Sequence, residues 1–110
     1  MGLDKKPKYV EMQGRLWTDM YGNTYHVVDV YVSTGSITTK GNSIKLTSGI
    51  NYGYGNQFEY TGLKLLEANG IMPRLIKKAL DTNQVPWRFF QENGIKFRSI
   101  PVDVKRKKDL

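Results

Sequence analysis

From Asn51 to Tyr60 the chain reads Asn-Tyr-Gly-Tyr-Gly-Asn-Gln-Phe-Glu-Tyr. Core packing does not call for tyrosine, glycine and amide residues at this density. Asn51, Tyr52, Tyr54, Asn56 and Gln57 are therefore candidates for an interaction loop. Rigid aromatics would supply contact area there, and the amides would supply hydrogen bonds. Gly53 and Gly55 stand just before a helix start, where free amides and the helix dipole favour an anion. Neither a Walker lysine nor a complete G-x-G-x-x-G accompanies them. The competing reading is conformational: both glycines take positive φ in a strand-to-helix connection, and the tyrosines pack over the sheet.

A second group combines flat rings with cations. Tyr9, Arg15, Trp17, Tyr25 and Tyr31 fall on one face of a predicted hairpin. Bases stack on rings and phosphates pair with cations, so such a face suits single-stranded nucleic acid. The same face suits a dimer interface between two copies of the chain, where Tyr, Trp and Arg are also enriched, or partial burial beneath the helices, and both readings rank above stacking. The RNP-type consensus of an RNA-recognition motif is absent. Arg74, Lys77 and Lys78 make a basic helix edge. Lys96, Arg98, Lys105, Arg106, Lys107 and Lys108 extend it into a candidate positive stripe for phosphate contact. Taken alone, a charged helix edge is a solvated face.

Catalytic and metal chemistry find little support. His26 is the one histidine and stands in register with valines, as a half-buried residue would. Asp29 falls on the opposite strand face, so the two do not form a base-and-orienter pair. The chain has no cysteine, which excludes thiolate zinc sites and disulfides and fits a reducing compartment. No G-x-S-x-G occurs. The expectation is a non-enzymatic protein with no catalytic residue, no metal and no cofactor.

The elements that must position these residues read clearly in places. From Lys8 the chain alternates, with Val10, Met12, Gly14 and Leu16 on one face. Thr18 to Asn23 turns it. Thr24 to Val32 alternates again, with His26, Val28, Val30 and Val32 on one face. Matching the apolar faces pairs Leu16 with His26, Met12 with Val30 and Val10 with Val32. Trp17 then opposes Tyr25, and Gln13 opposes Asp29, on the outer face. A second hairpin, 36–40 with 43–48, is predicted about Gly41-Asn42. Asn56 and Glu59 have capping-box spacing for a helix that ends at Asn69-Gly70. Pro73 opens a second helix through Leu80, with Leu75, Ile76, Ala79 and Leu80 inward. Pro86 opens a short third helix, or else a hairpin strand begins there. Ile95 to Val104 reads as a final strand whose Pro101 suits an edge or a bulge.

The fold class expected is α+β. It comprises an antiparallel sheet, a meander of about four strands plus a C-terminal strand, with two or three helices on one face. One domain over 9–104 lies between a basic arm, 1–8, and a basic tail, 105–110. The net charge is +7 over 110 residues, and more than half of the excess falls on the two arms. Basic arms suit polyanions or simple solubility. No apolar run approaches a membrane span, and residues 1–6 lack the core of a signal peptide.

Gly22-Asn23-Thr24-Tyr25-His26 with its valines, the Gly53-Tyr54-Gly55-Asn56-Gln57 turn, and the ending from Asp103 to Leu110 together resemble a group of small proteins of bacteriophages and related mobile elements. The resemblance implies a phage or mobile-element origin and a setting in the cytoplasm of a bacterial host. It carries no activity and no functional residue. The partners expected are nucleic acid or, alternatively, a host or phage protein held by loop 51–57.

Overall fold

The computed structural model describes residues 7–33 and 43–110. Among the described residues five strands and three α-helices fall into successive blocks. The strands β1 (Tyr9–Thr18), β2 (Thr24–Ser33), β3 (Ser43–Thr47) and β4 (Asn51–Tyr52) come first. The helices α1 (Gln57–Ala68), α2 (Pro73–Asp81) and α3 (Pro86–Glu92) follow, and β5 (Lys96–Asp103) closes the sheet. Strand order is β3-β2-β1-β5, with β4 beside β3 on the same edge of β2. The α+β class, with helices against one face, is the architecture the patterning predicts.

The β1–β2 register is the one set by the apolar faces: Val10 opposes Val32, Met12 opposes Val30, Leu16 opposes His26 and Trp17 opposes Tyr25. A slip of one residue would turn every valine to solvent, which is why the pattern fixes it. Asp19 closes the turn, its Oδ1 accepting from Tyr21 N and Asn23 N at 2.9 Å each. Ser43–Thr47 pairs directly with β2, Leu46 opposing Val30. The other arm expected of that hairpin, 36–40, lies outside the described residues.

The sheet departs from the expected antiparallel pattern at β5, which runs parallel to β1 from Tyr9↔Lys96 to Leu16↔Asp103. Three successive helices return the chain to the end of the sheet where β1 begins, so β5 must set out in the same direction. Its ends are pinned by Lys96 N to Lys8 O at 3.0 Å and Val104 N to Leu16 O at 2.7 Å. Pro101 is tolerated because β5 is an edge strand.

The core lies between the helices and the Val10, Met12, Val28, Val30 and Val32 face, joined by Phe58, Leu63, Leu66, Ile76, Phe89 and Phe90. Two glycines let α1 lie close. Phe58 rests over Gly14, and Met12 reaches into the space left at Gly62. Phe90 stacks on Phe97 of β5 at 4.5 Å, fastening α3 to the edge strand. All three helices stop at a left-handed residue, Gly70, Asn83 and Gly94. Asn69 and Asn93 add side-chain bonds to Leu65 O and Phe89 O at 2.8 Å each.

Two helix details differ from expectation. The capping box does not form: Asn56 makes no side-chain cap. The Glu59 carboxylate instead accepts from Ser99 Oγ on β5 at 2.5 Å, a tertiary bond in place of a local one. Leu75 is exposed rather than inward, since Ile76 and Ala79 already cover the contact of this short helix with α1.

Candidate functional site

Helices cover only one face of the sheet. On the other, alternation presents Tyr9, Glu11, Gln13, Arg15 and Trp17 from β1 and Tyr25, Val27, Asp29 and Tyr31 from β2. Lys45 and Thr47 of β3, Tyr52 of β4, and Lys96, Arg98, Ile100 and Val102 of β5 share it by register. None of the three described α-helices packs there.

Three aromatic rings run in sequence at one end of this face. Trp17 and Tyr25 are stacked, centroids 5.9 Å apart and 28° between planes. Tyr25 and Tyr52 meet edge to face at 5.5 Å and 72°. Tyr52 is 66% exposed and Tyr54, just beyond it, is 72% exposed. The loop and the aromatic sheet face, read from sequence as separate surfaces, are therefore continuous through Tyr52. A two-residue strand has no periodicity to detect, and the pairing of Tyr52 with Tyr25 is what joins them.

His26 fixes the position of that loop. It is 1% exposed on the helix-facing side of β2. Its Nδ1 lies 3.0 Å from Gly53 O and its Nε2 lies 2.7 Å from Thr61 Oγ1. The carbonyl can only accept, so Nδ1 carries the proton. Gly53 holds φ of +150°, and a Cβ there would lie 2.9 Å from Cβ of Gln57 and 3.2 Å from Cε1 of His26. The conformational reading of this glycine is thus realised. His26 presents no free ring nitrogen to a substrate.

Farther along the face, Arg15 donates Nη1 to Asp29 Oδ2 at 2.6 Å, and Thr47 Oγ1 donates to Asp29 Oδ1 at 2.8 Å. Asp29 is 3% exposed, and a buried carboxylate needs such partners. Arg15 is therefore part-committed to the sheet. Tyr9 Oη and Gln13 Nε2 each donate to Glu11 at 2.7 Å. These bonds, with Arg98 nearby, hold the Glu11 carboxyl below its ordinary pKa. Burial and the bond to Glu11 push the Tyr9 phenol up. Lys45 stands over the Tyr31 ring at 5.6 Å.

The cations divide between two sides of the molecule. Lys96 and Arg98 share the open face with Arg15, Trp17 and Tyr25. Arg74, Lys77 and Lys78 are exposed on α2, in the helix layer on the other side of the sheet. The single stripe suggested by sequence is not formed. The chain ending turns back instead. A 3₁₀ turn, Lys107–Asp109, is closed by Arg106 Nε to Asp109 Oδ2 at 3.2 Å. Lys107 and Leu110 border a cleft of about 400 Å³ with Trp17, Asp19, Tyr25 and Ile50. Ile50 and Leu110 carry no chemical signal of their own, so sequence did not bring them into the site. Lys105, Arg106 and Lys108 lie exposed about this turn. Asn51, Asn56 and Gln57 are exposed along the loop, and the Asn51 amide donates to Gly49 O at 3.0 Å.

Among the described residues no His, Cys, Asp and Glu cluster is placed to hold a metal ion. No described helix is long and apolar enough to cross a membrane. Compared with protein-family models, curated proteins and solved structures, the chain matches none.

Proposed function

We propose that the open sheet face binds single-stranded nucleic acid, as a non-enzymatic accessory protein of a phage or mobile element inside a bacterial host cell. The observation that carries the reading is the Trp17–Tyr25–Tyr52 ladder on a face that none of the described α-helices covers. Rings at this spacing accept bases by stacking, without regard to sequence. Lys107 lies at one end of the ladder, and Lys45, Lys96 and Arg98 flank the face as phosphate partners. Arg15 contributes less free charge because Asp29 compensates it.

The test uses the intrinsic fluorescence of Trp17 in a Trp87→Phe background, which removes the only other tryptophan. Titration with a thymidine oligomer is expected to quench Trp17, and affinity is expected to fall as salt rises. Tyr25→Ala and Tyr52→Ala should each weaken binding by about 1–3 kcal/mol. Quenching that fails to appear, or affinity indifferent to salt, would sink the proposal.

The alternative is a protein-interaction module using Asn51, Tyr52, Tyr54, Asn56 and Gln57. It is favoured by the exposure of Tyr54, which touches neither Trp17 nor Tyr25 as a ring partner. Tyr54→Ala separates the two. Loss of a partner protein with oligomer binding unchanged would favour the module.

A further inference from the structure

The cleft at the Trp17 end of the ladder is built differently from the rest of the open face. Trp17 and Tyr25 supply aromatic surface, Ile50 and Leu110 supply aliphatic surface, and Asp19 and Lys107 supply the charges. Asp19 Oδ1 accepts two backbone N–H groups of its own turn, which fix the carboxylate at the turn without cancelling its charge. The Lys107 ammonium has no hydrogen bond or ion pair among the described residues. The cleft thus brings one unpaired lysine into the same lining as a pair of stacked rings.

Lys107 is held there by backbone geometry. Val104 N bonds to Leu16 O at 2.7 Å, carrying the end of β5 up beside the last residues of β1. The Arg106–Asp109 ion pair closes the following turn. Asp109 N to Arg106 O at 2.9 Å and Leu110 N to Lys107 O at 3.1 Å complete it. The basic segment is therefore a wall across the end of the aromatic ladder.

The volume of about 400 Å³ falls in the range of small-ligand sites. That is room for one planar base with its sugar. The ring faces suit a flat aromatic group, and Lys107 can pair with a phosphate on it.

We infer that this cleft is a mononucleotide subsite, in which one base lies against the Trp17–Tyr25 pair and its phosphate pairs with Lys107. The inference rests on the reading of the open face as a single-strand platform. It adds that the platform ends in a pocket that takes one terminal nucleotide, with the 107–109 turn as its stop.

The experiment is two-dimensional NMR of the full-length nitrogen-labelled chain, following the Trp17 indole cross-peak, which is assigned by its persistence in Trp87→Phe. Thymidine 5′-monophosphate, thymidine and inorganic phosphate are each titrated into the millimolar range, and a thymidine oligomer is titrated separately. The monophosphate is expected to shift the Trp17 signal with affinity roughly fivefold or more above thymidine, the worth of one charge-assisted contact at a part-exposed site. Lys107→Gln, an exposed substitution, should erase that difference and weaken the oligomer by a similar factor. Thymidine and its monophosphate binding equally, or Lys107→Gln changing neither ligand, would overturn the subsite. If the oligomer still binds in that case, the platform stands and only the pocket fails. If the oligomer also leaves Trp17 undisturbed, both readings fall.

Discussion

Tyr9, Glu11 and Gln13 follow one another along the open face of β1, and their bonds make one carboxylate the acceptor for two neighbours. The bond from Tyr9 is the largest influence on Glu11, lowering its pKa from 4.5, with Gln13 and the Arg98 charge acting in the same direction and burial opposing. The sign of the consequence follows from linkage. A carboxyl with a lowered folded pKa contributes stability that is present above the unfolded value and is lost as pH falls through the folded one. Tyr9 is raised above 10.0, first by burial and then by Glu11. Its contribution is present below that value and is lost as pH rises through the folded one. Tyr9→Phe should therefore move the Glu11 carboxyl up toward its ordinary value, read by carboxyl-carbon NMR titration. It should also shrink the loss of stability on acidification through the range below 4.5 and abolish the Tyr9 contribution at alkaline pH. An unchanged Glu11 titration would show that the bond does not persist in solution.

The packing of α1 on β1 depends on a glycine from each element. An alanine Cβ at Gly14 would overlap Cγ, Cδ1 and Cδ2 of Phe58, a rigid ring that is itself fully buried. At Gly62 the added Cβ would meet Met12, 2.5 Å from Sδ and 2.7 Å from Cε, the far end of a flexible side chain. Alanine also gains about 1 kcal/mol over glycine within a helix. Gly14→Ala should cost about 2–3 kcal/mol, and Gly62→Ala should come out near neutral, both measured from urea midpoints. Equal costs would mean that Met12 cannot yield. The same two elements show what sequence could and could not tell. Alternation of Val10, Met12 and Leu16 against His26, Val28, Val30 and Val32 identified the faces and hence the β1–β2 register. Asn69-Gly70 and Asn93-Gly94 marked helix ends because a left-handed residue is a local requirement. The direction of β5 was not legible, since a period of two reports a face and not an orientation. Glu59 went to Ser99 instead of the predicted cap because a partner forty residues away is invisible to local spacing. In the site, Trp17 beside Tyr25 was readable from register, whereas Tyr52 beside Tyr25 and Lys107 beside Trp17 come from long-range pairing.

At the scale of the whole molecule the sheet separates two sets of cations, and the separation decides which of them can act on one ligand. Lys45, Lys96 and Arg98 lie on the open face with the aromatic ladder. Arg74, Lys77 and Lys78 project from α2 on the helix side. Exposed charges more than a Debye length apart, about 8 Å in physiological salt, are largely screened from each other, and a single strand lying on the ladder does not reach around the sheet. Each phosphate neutralised releases a counterion, so the slope of log K against log salt counts the cations engaged, at about 0.7 per contact for single strands. Lys96→Gln with Arg98→Gln should therefore lower that slope by about one unit or more. Lys77→Gln with Lys78→Gln removes the same formal charge and should leave both slope and affinity nearly unchanged. A net charge of +7 acting as a diffuse field would make the two pairs equivalent, because each lowers the total by two. Affinity measured across a salt series for both double variants distinguishes a face from a field: unequal slopes place the ligand on the open sheet, and equal slopes would reduce the interaction to non-specific attraction.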